Sequence, residues 1–136
     1  MKSAAEYLAW VEALIVDNPC VEHWEVIRKE AQGDAGLFRY RLQMSDGTMV
    51  EMLERFMIMG GRVEVTKYSF HWQGPHGDLI RRWDNAPHHP EVASHPHHVH
   101  HGDESNVLPH HPMCAHDILN VLCRQAGSET ARDEGH

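Results

Sequence analysis

Residues 38–44 of the chain read FRYRLQM, a strict alternation of apolar and polar side chains. This period of two is typical of a β-strand that has one face against a core and the other in solvent. Ser45, Asp46 and Gly47 follow with the composition of a turn, and residues 48–59 form the next apolar run. The two runs predict a β-hairpin, and the sheet that it begins decides the fold class.

The strand pattern continues on both sides of this hairpin. Residues 21–31, 63–72 and 79–84 also suit strands, and Gly or Pro residues mark the turns between the later ones. Connections this short suit antiparallel neighbours, whereas parallel strands need crossovers of a dozen or more residues. We therefore predict a roughly five-stranded antiparallel meander.

Helices are predicted at both ends of the meander. Ser3 and Glu6 have the spacing of a capping box, in which the Ser3 hydroxyl accepts from the Glu6 amide and the Glu6 carboxylate accepts from the Ser3 amide. An apolar stripe at steps of three and four follows and stops at Asn18 and Pro19. A shorter apolar pattern over residues 117–122 predicts a second helix. The fold class is α+β, with the N-terminal helix packed on the meander and a short C-terminal helix.

A single domain accounts for the chain. It has 136 residues, of which 41% are hydrophobic and 24% charged, within the range of ordinary globular proteins. We predict one α+β domain over residues 1–126, with a His/Pro-rich loop at 86–112 and a disordered polar tail at 127–136. No apolar run approaches the length of a membrane span, so we expect a cytoplasmic protein without a membrane partner.

The histidines are the most unusual feature of the composition. Twelve Lys+Arg against 20 Asp+Glu give a formal charge of −8, which argues against a broadly basic nucleic-acid-binding surface. However, ten of the 14 histidines fall between His88 and His116. Imidazoles titrate close to neutral pH, so modest acidification can make this segment locally neutral or positive. The composition therefore allows a small histidine-lined site that contacts a few phosphates.

Two kinds of chemistry suit such a segment. A pair of imidazoles can supply the general base and general acid for transesterification at an RNA phosphate, and Arg82 offers a bidentate grip on that phosphate. Alternatively, neutral imidazole nitrogens bind zinc or nickel, although no two histidines lie four apart on one predicted helix. A solvated loop residue is the more common outcome for any single histidine.

Three blocks of residues carry a resemblance to a known family. Residues 68–73 read YSFHWQ, residues 82–89 read RWDNAPHH and residues 96–100 read PHHVH. In this order they resemble the TumE family of toxin–antitoxin systems. The resemblance implies a short, single-domain toxin encoded beside a helix-turn-helix antitoxin that binds and silences it. Val99 stands where the family commonly has Lys, and His95 stands where a large apolar residue is expected.

The predicted hairpin brings these blocks together. If residues 68–72 pair with residues 79–83, then Tyr68, Arg82 and Asp84 meet at one margin of the sheet, where the histidine segment begins. The resemblance extends to eleven positions: Tyr68, His71, Gln73, Arg82, Asp84, Asn85, His88, His89, His97, His98 and His100.

The functional hypothesis is a toxin that acts as a metal-independent ribonuclease or another inhibitor of translation, with no cofactor required. Its predicted catalytic residues are Tyr68, His71, Arg82, Asp84, His88, His97, His98 and His100. The alternative is a non-catalytic binding module whose loop takes a partner protein, or zinc or nickel. The metal ligands would then be His88, His89, His97, His98 and His100. RNA and a helix-turn-helix antitoxin are the expected partners, and exposed sheet edges leave a homo-oligomer open.

Overall fold

The computed structural model of the chain describes residues 1–123. Helix α1 (Ala4–Asp17) is followed by strands β1 (Val21–Gln32), β2 (Ala35–Met44), β3 (Met49–Met59), β4 (Arg62–Gln73), β5 (Leu79–Asp84), β6 (His98–His101) and β7 (Val107–Pro109). A second helix, α2, occupies residues 115–123. The predicted tail at 127–136, and the domain boundary at residue 126, lie outside the described residues.

The seven strands form one sheet in the order β1-β2-β3-β4-β5-β6-β7, and every neighbouring pair is antiparallel. The α+β class and the antiparallel meander are therefore confirmed. The first five strands coincide with the five predicted ones to within three residues at each end. Their period-two patterns and Gly-containing turns are local features, so the sequence alone indicates them.

Strands β6 and β7 are the correction to the predicted fold. Both lie inside the segment 86–112, which was predicted to be an irregular loop. Strand β6 has too few apolar residues to show a period-two pattern in the sequence. Its two buried residues on the outer face of the sheet are His98 and His100, where most buried strand positions carry apolar side chains. The two imidazoles find polar partners on β5 only in the folded chain, so the sequence alone does not indicate that β6 pairs with β5.

The sheet has two unlike faces. The inner face is covered by α1 and α2 and carries the apolar core, which includes Phe38 and Tyr40 of β2 and Phe70 of β4. In α1, the predicted stripe is buried through Tyr7, Leu8, Val11 and Ile15. The outer face carries the alternate residues of each strand, and these are mostly polar. Functional polar groups can therefore line the outer face without disturbing the core.

The cap of α1 differs slightly from the predicted capping box. Ser3 Oγ accepts from the amide of Glu6 at 3.1 Å, as expected. The Glu6 carboxylate accepts from the amide of Lys2 at 2.9 Å, not from that of Ser3. The helix N-terminus is capped in either geometry, because both contacts satisfy amides that lack partners within the helix.

Gly36 permits close packing of β2 against the core. A Cβ added there would lie 2.5 Å from Cζ of Phe56, which is fully buried and has no room to withdraw. We expect Gly36→Ala to lower the free energy of unfolding by about 1–3 kcal/mol, as overpacked cores do. Urea denaturation measures this change, and the exposed neighbouring variant Ala35→Ser should change it by less than about 0.5 kcal/mol. Equal stabilities for the two variants would contradict the packing argument.

Candidate functional site

A buried carboxylate, Asp84 at the end of β5, is the centre of a polar network on the outer face. Its residue is 7% exposed. Oδ2 lies 3.1 Å from Nε of Arg82, and Oδ1 lies 2.9 Å from Nε2 of His98. Nε2 of His100 is 3.6 Å from Oδ2, and the amide of Ala86 donates to Oδ1 at 3.0 Å. The charge of this carboxylate is thus balanced by surrounding donors.

The register of the sheet explains why these side chains meet. Arg82 pairs with His100 and Asp84 pairs with His98 across β5 and β6. Side chains of directly opposed residues lie on the same face of a sheet, about 5 Å apart at Cβ. Arg82 is held further by Glu104, whose Oε1 is 2.8 Å from Nη1, and its Nη2 lies 3.1 Å from Nε2 of His100.

Three histidines form a compact group beside this network, here called the histidine triad: His89, His98 and His100. One possible ligand atom of each lies within 4.8 Å of the others. His98 and His100 are buried on β6, whereas His89 comes from the connection between β5 and β6 and is partly exposed. The connection therefore folds back so that His89 packs edge-on against both strand histidines.

A cleft of about 340 Å³ opens on the outer face next to the network, here called the outer cleft. Its lining includes Lys67, Ser69, His71, Arg82 and Asp84. His71 pairs directly with Arg82 across β4 and β5. Partial burial, and secondarily the Arg82 charge, lower the pKa of His71 below its usual 6.5. His71 is therefore a neutral imidazole at neutral pH, close to a fixed guanidinium.

Tyr68 and His97 form a separate pair on the inner side of the sheet. Tyr68 pairs with Glu54 across β4 and β3 and stacks on Phe70, so its ring lies on the inner face. Its hydroxyl is 2.9 Å from Nδ1 of His97. Burial raises the pKa of Tyr68 to about 12. Tyr68 does line the outer cleft with Arg82 and Asp84, as expected. Its ring lies on the opposite face, however, because Asp84 pairs with Ser69 and adjacent residues of a strand point to opposite faces.

The other predicted positions are placed as follows. His88 is exposed, outside the triad. Asn85 joins strand ends through Oδ1, which accepts from the amide of Tyr68 at 3.0 Å. Gln73 Nε2 lies 3.4 Å from Nδ1 of His71. Of the eight predicted catalytic residues, the structure brings together His71, Arg82, Asp84, His98 and His100.

Two contributors were missed by sequence reasoning. Glu104 lies in the turn after β6 and fixes Arg82, but nothing in the local pattern of that turn distinguishes it from a solvated acid. Ser69 was also overlooked, although its position two residues before His71 on the same strand signals that both share a face. The alternation of side chains along β4 is thus the sequence signal that could have predicted which residues line the outer cleft.

The fold and the site define an α+β protein with a histidine-rich polar network on the open face of an antiparallel sheet. A family model described as Toxin TumE matches residues 11–125, most of the chain. The chain belongs to this toxin family, which confirms the resemblance of the three sequence blocks. Membership makes it a toxin-type component of a toxin–antitoxin system and implies an antitoxin partner. Neither the curated proteins nor the solved structures gave a match to the chain.

No helix within residues 1–123 is both long enough and apolar enough to cross a membrane.

Proposed function

We propose that this toxin acts on RNA and that the outer cleft is its site of action. The observation that carries the proposal is the cross-strand pairing of His71 with Arg82 in that cleft. A neutral imidazole beside a fixed guanidinium supplies a proton acceptor and a phosphate ligand within one cavity.

Phosphate binding is the first requirement of such a site. Arg82 is oriented by Asp84 and Glu104, so its guanidinium is held in place before substrate arrives. Lys67 lines the same cleft, is exposed, and has no ion-pair partner within residues 1–123. The cleft lining has three cations, Arg39, Lys67 and Arg82, against the carboxylates of Glu51 and Asp84. Its local charge therefore repels RNA less than the formal charge of −8 of the whole chain would suggest.

Proton transfer is the second requirement. His71 would accept the proton of an RNA 2′-hydroxyl as the 2′-oxygen forms a bond to the adjacent phosphorus. The bond from phosphorus to the 5′-oxygen then breaks, and the leaving 5′-oxygen takes a proton from water. The products are a 2′,3′-cyclic phosphate and a free 5′-hydroxyl. The lowered pKa of His71 favours this role, because the imidazole is unprotonated at neutral pH.

Growth of a bacterial host tests the toxin and its site together. We expect induction of the wild type to arrest growth and His71→Ala to restore it, since the proposed base is lost. His76→Ala is the matched control, because His76 is an exposed histidine in the turn between β4 and β5. It should arrest growth like the wild type. Equal toxicity of wild type and His71→Ala would rule out the outer cleft as the site of action.

Cleavage of a short single-stranded RNA by the purified full chain in EDTA tests the chemistry. We expect products with 2′,3′-cyclic phosphate ends, and no cleavage of the same strand with 2′-deoxyribose throughout. The rate should fall as the pH is lowered, with its midpoint below pH 6.5, because burial and the Arg82 charge lower the pKa of His71 from that usual value. Intact RNA, or equal cleavage of the deoxy strand, would overturn the proposed reaction.

The antitoxin partner is proposed to be a helix-turn-helix protein, on the strength of the sequence resemblance. Co-expression of the neighbouring reading frame should abolish toxicity and yield a complex on purification. A neighbour without a helix-turn-helix sequence, or one that leaves toxicity unchanged, would argue against this assignment.

A further inference from the structure

We propose that the histidine triad, His89, His98 and His100, is a binding site for a divalent transition-metal ion of the zinc class. The triad adjoins the outer cleft but differs from it in residues and in chemistry. It is also narrower than the set of five histidines predicted from the sequence, since His88 and His97 lie outside it.

The Nδ1 atoms of the three rings have oxygen partners, and the Nε2 atoms of His98 and His100 are directed at the Asp84 network. Nδ1 of His98 lies 2.9 Å from the carbonyl oxygen of Pro96, and Nδ1 of His100 lies 2.8 Å from that of Glu104. Nδ1 of His89 lies 3.0 Å from a carboxylate oxygen of Glu91. Since these oxygens only accept, each Nδ1 carries a hydrogen, so a metal ion would bind at Nε2. Nε2 of His98 also lies 2.9 Å from Oδ1 of Asp84, and a metal ion would displace the hydrogen that this contact shares.

This arrangement is the one that metal-binding histidines adopt. Such histidines almost always donate their second ring N–H to a carbonyl or carboxylate, which fixes the tautomer and the orientation of the ring. Here all three members of the triad have that partner, and each partner comes from the chain near its own histidine. His95 and His110, outside the triad, have the same kind of partner. The feature that distinguishes the triad is therefore the closeness of its three ligand atoms, with their rings already oriented.

The spacing of the group also suits one ion. Two ligand atoms bound to a tetrahedral zinc at about 2.0–2.1 Å are about 3.3 Å apart. Nε2 of His98 and Nε2 of His100 lie 2.9 and 3.6 Å from the two oxygens of Asp84, close to that value, so this carboxylate is placed to act as a further ligand beside the histidines. The ligand atoms of the triad lie within 4.8 Å of one another, somewhat farther apart than a bound ion requires. Binding would therefore need a small inward movement of the connection that holds His89.

The surrounding charges can accommodate a cation. The Asp84 carboxylate is buried against two of the three rings and offsets part of the added charge. Arg82 opposes metal binding, because its Nη2 donates a hydrogen bond to Nε2 of His100 at 3.1 Å. This hydrogen bond must break before His100 can bind the ion through Nε2. The contacts of Arg82 with Asp84 and Glu104 remain available, so the guanidinium keeps two anionic partners.

Imidazole ligands select the class of ion. Nitrogen donors suit zinc, copper, iron and nickel, whereas magnesium and calcium prefer oxygen. Three histidines leave one position of a tetrahedral zinc open to water or to Asp84. The bound ion would link the connection after β5 to strand β6 beside the outer cleft.

Calorimetric titration of Zn²⁺ into the tag-free, metal-stripped full chain tests the site. We expect one ion per chain with a Kd of about 1 µM or tighter. His89→Ala should weaken this binding by at least about 100-fold, because even the loss of a ligand's hydrogen-bond partner costs 10- to 100-fold. His89 is the residue of choice, since it lies outside the strands and its loss leaves the Asp84 network in place.

His88→Ala is the matched control, an exposed histidine adjacent in sequence and outside the triad. It should bind Zn²⁺ as the wild type does, and circular dichroism should confirm that both variants are folded. Wild-type binding weaker than about 1 µM, or an equal loss of affinity in both variants, would overturn the site. The titration measures metal uptake alone, so its result is independent of toxicity and of RNA cleavage.

Discussion

Replacing Asp84 with alanine is expected to lower the free energy of unfolding by about 3 kcal/mol, because removal of one partner of a buried ion pair leaves the other uncompensated. The carboxylate contacts Arg82, His98 and His100 and also accepts from the amide of Ala86. His98 is 2% exposed and has no route to solvent that would replace the lost contact. The loss should therefore far exceed that of a surface substitution.

Urea denaturation of Asp84→Ala and Asp84→Asn measures this effect. The asparagine variant keeps the shape and one acceptor oxygen, so its loss should be smaller than that of the alanine variant. Asp17→Ala is the control, because Asp17 is exposed at the end of α1 and should change stability by less than about 0.5 kcal/mol. A loss below about 1 kcal/mol for Asp84→Ala would mean that the network does not stabilise the fold.

Glu54 is expected to give the protein a strong pH dependence of stability. This glutamate is fully buried at an inner position of β3. It accepts from the hydroxyl of Tyr7 at 2.6 Å and from the amide of Ala115 at the start of α2. Burial raises the pKa of Glu54 from 4.5 to about 7, although both hydrogen bonds oppose the shift.

The sign of the effect follows from the raised pKa. Below pH 4.5 the carboxyl of Glu54 is protonated in both the folded and the unfolded chain, and its contribution to stability is fully present. As pH rises through about 7, the unfolded chain has already lost that proton and the folded chain must bury a charge. The shift corresponds to a loss of about 3 kcal/mol across this range.

Glu54→Gln isolates this contribution, since glutamine has nearly the same shape and does not titrate. We expect the stability of the wild type, relative to this variant, to fall between pH 5 and pH 8 by most of the about 3 kcal/mol. Glu64→Gln, at an exposed position of β4, should follow the wild type at every pH. A difference between wild type and Glu54→Gln that does not vary with pH would contradict the assignment.

The predicted parts of the fold are those with a local signature. The alternation in residues 38–44 and the turn at Ser45–Gly47 reappear as β2 and its connection to β3. The stripe behind Ser3 reappears as α1. These elements follow from side-chain periodicity and turn composition, which depend only on near neighbours in sequence.

The parts that could not be predicted depend on distant partners. Strand β6 has one apolar residue among three histidines, and its pairing depends on Asp84 and Arg82 across the sheet. Glu54 interrupts the apolar face of β3, and only the approach of Tyr7 and α2 gives it hydrogen-bond partners. A buried polar residue is tolerated only when such partners exist, and its own position in the sequence does not indicate them.

The sequence by itself determined the fold class, the first five strands, the first helix and the family of this protein, because periodicity and short motifs are properties of the chain before it folds. It also marked the histidine segment as unusual. Only the tertiary structure decided which histidines belong together. Alternation across β4, β5 and β6 places His71, His98 and His100 on the outer face and Tyr68 on the inner face, and the returning connection adds His89. Register and chain reversal are set by long-range pairing, so they separate residues adjacent in sequence and join residues that are not.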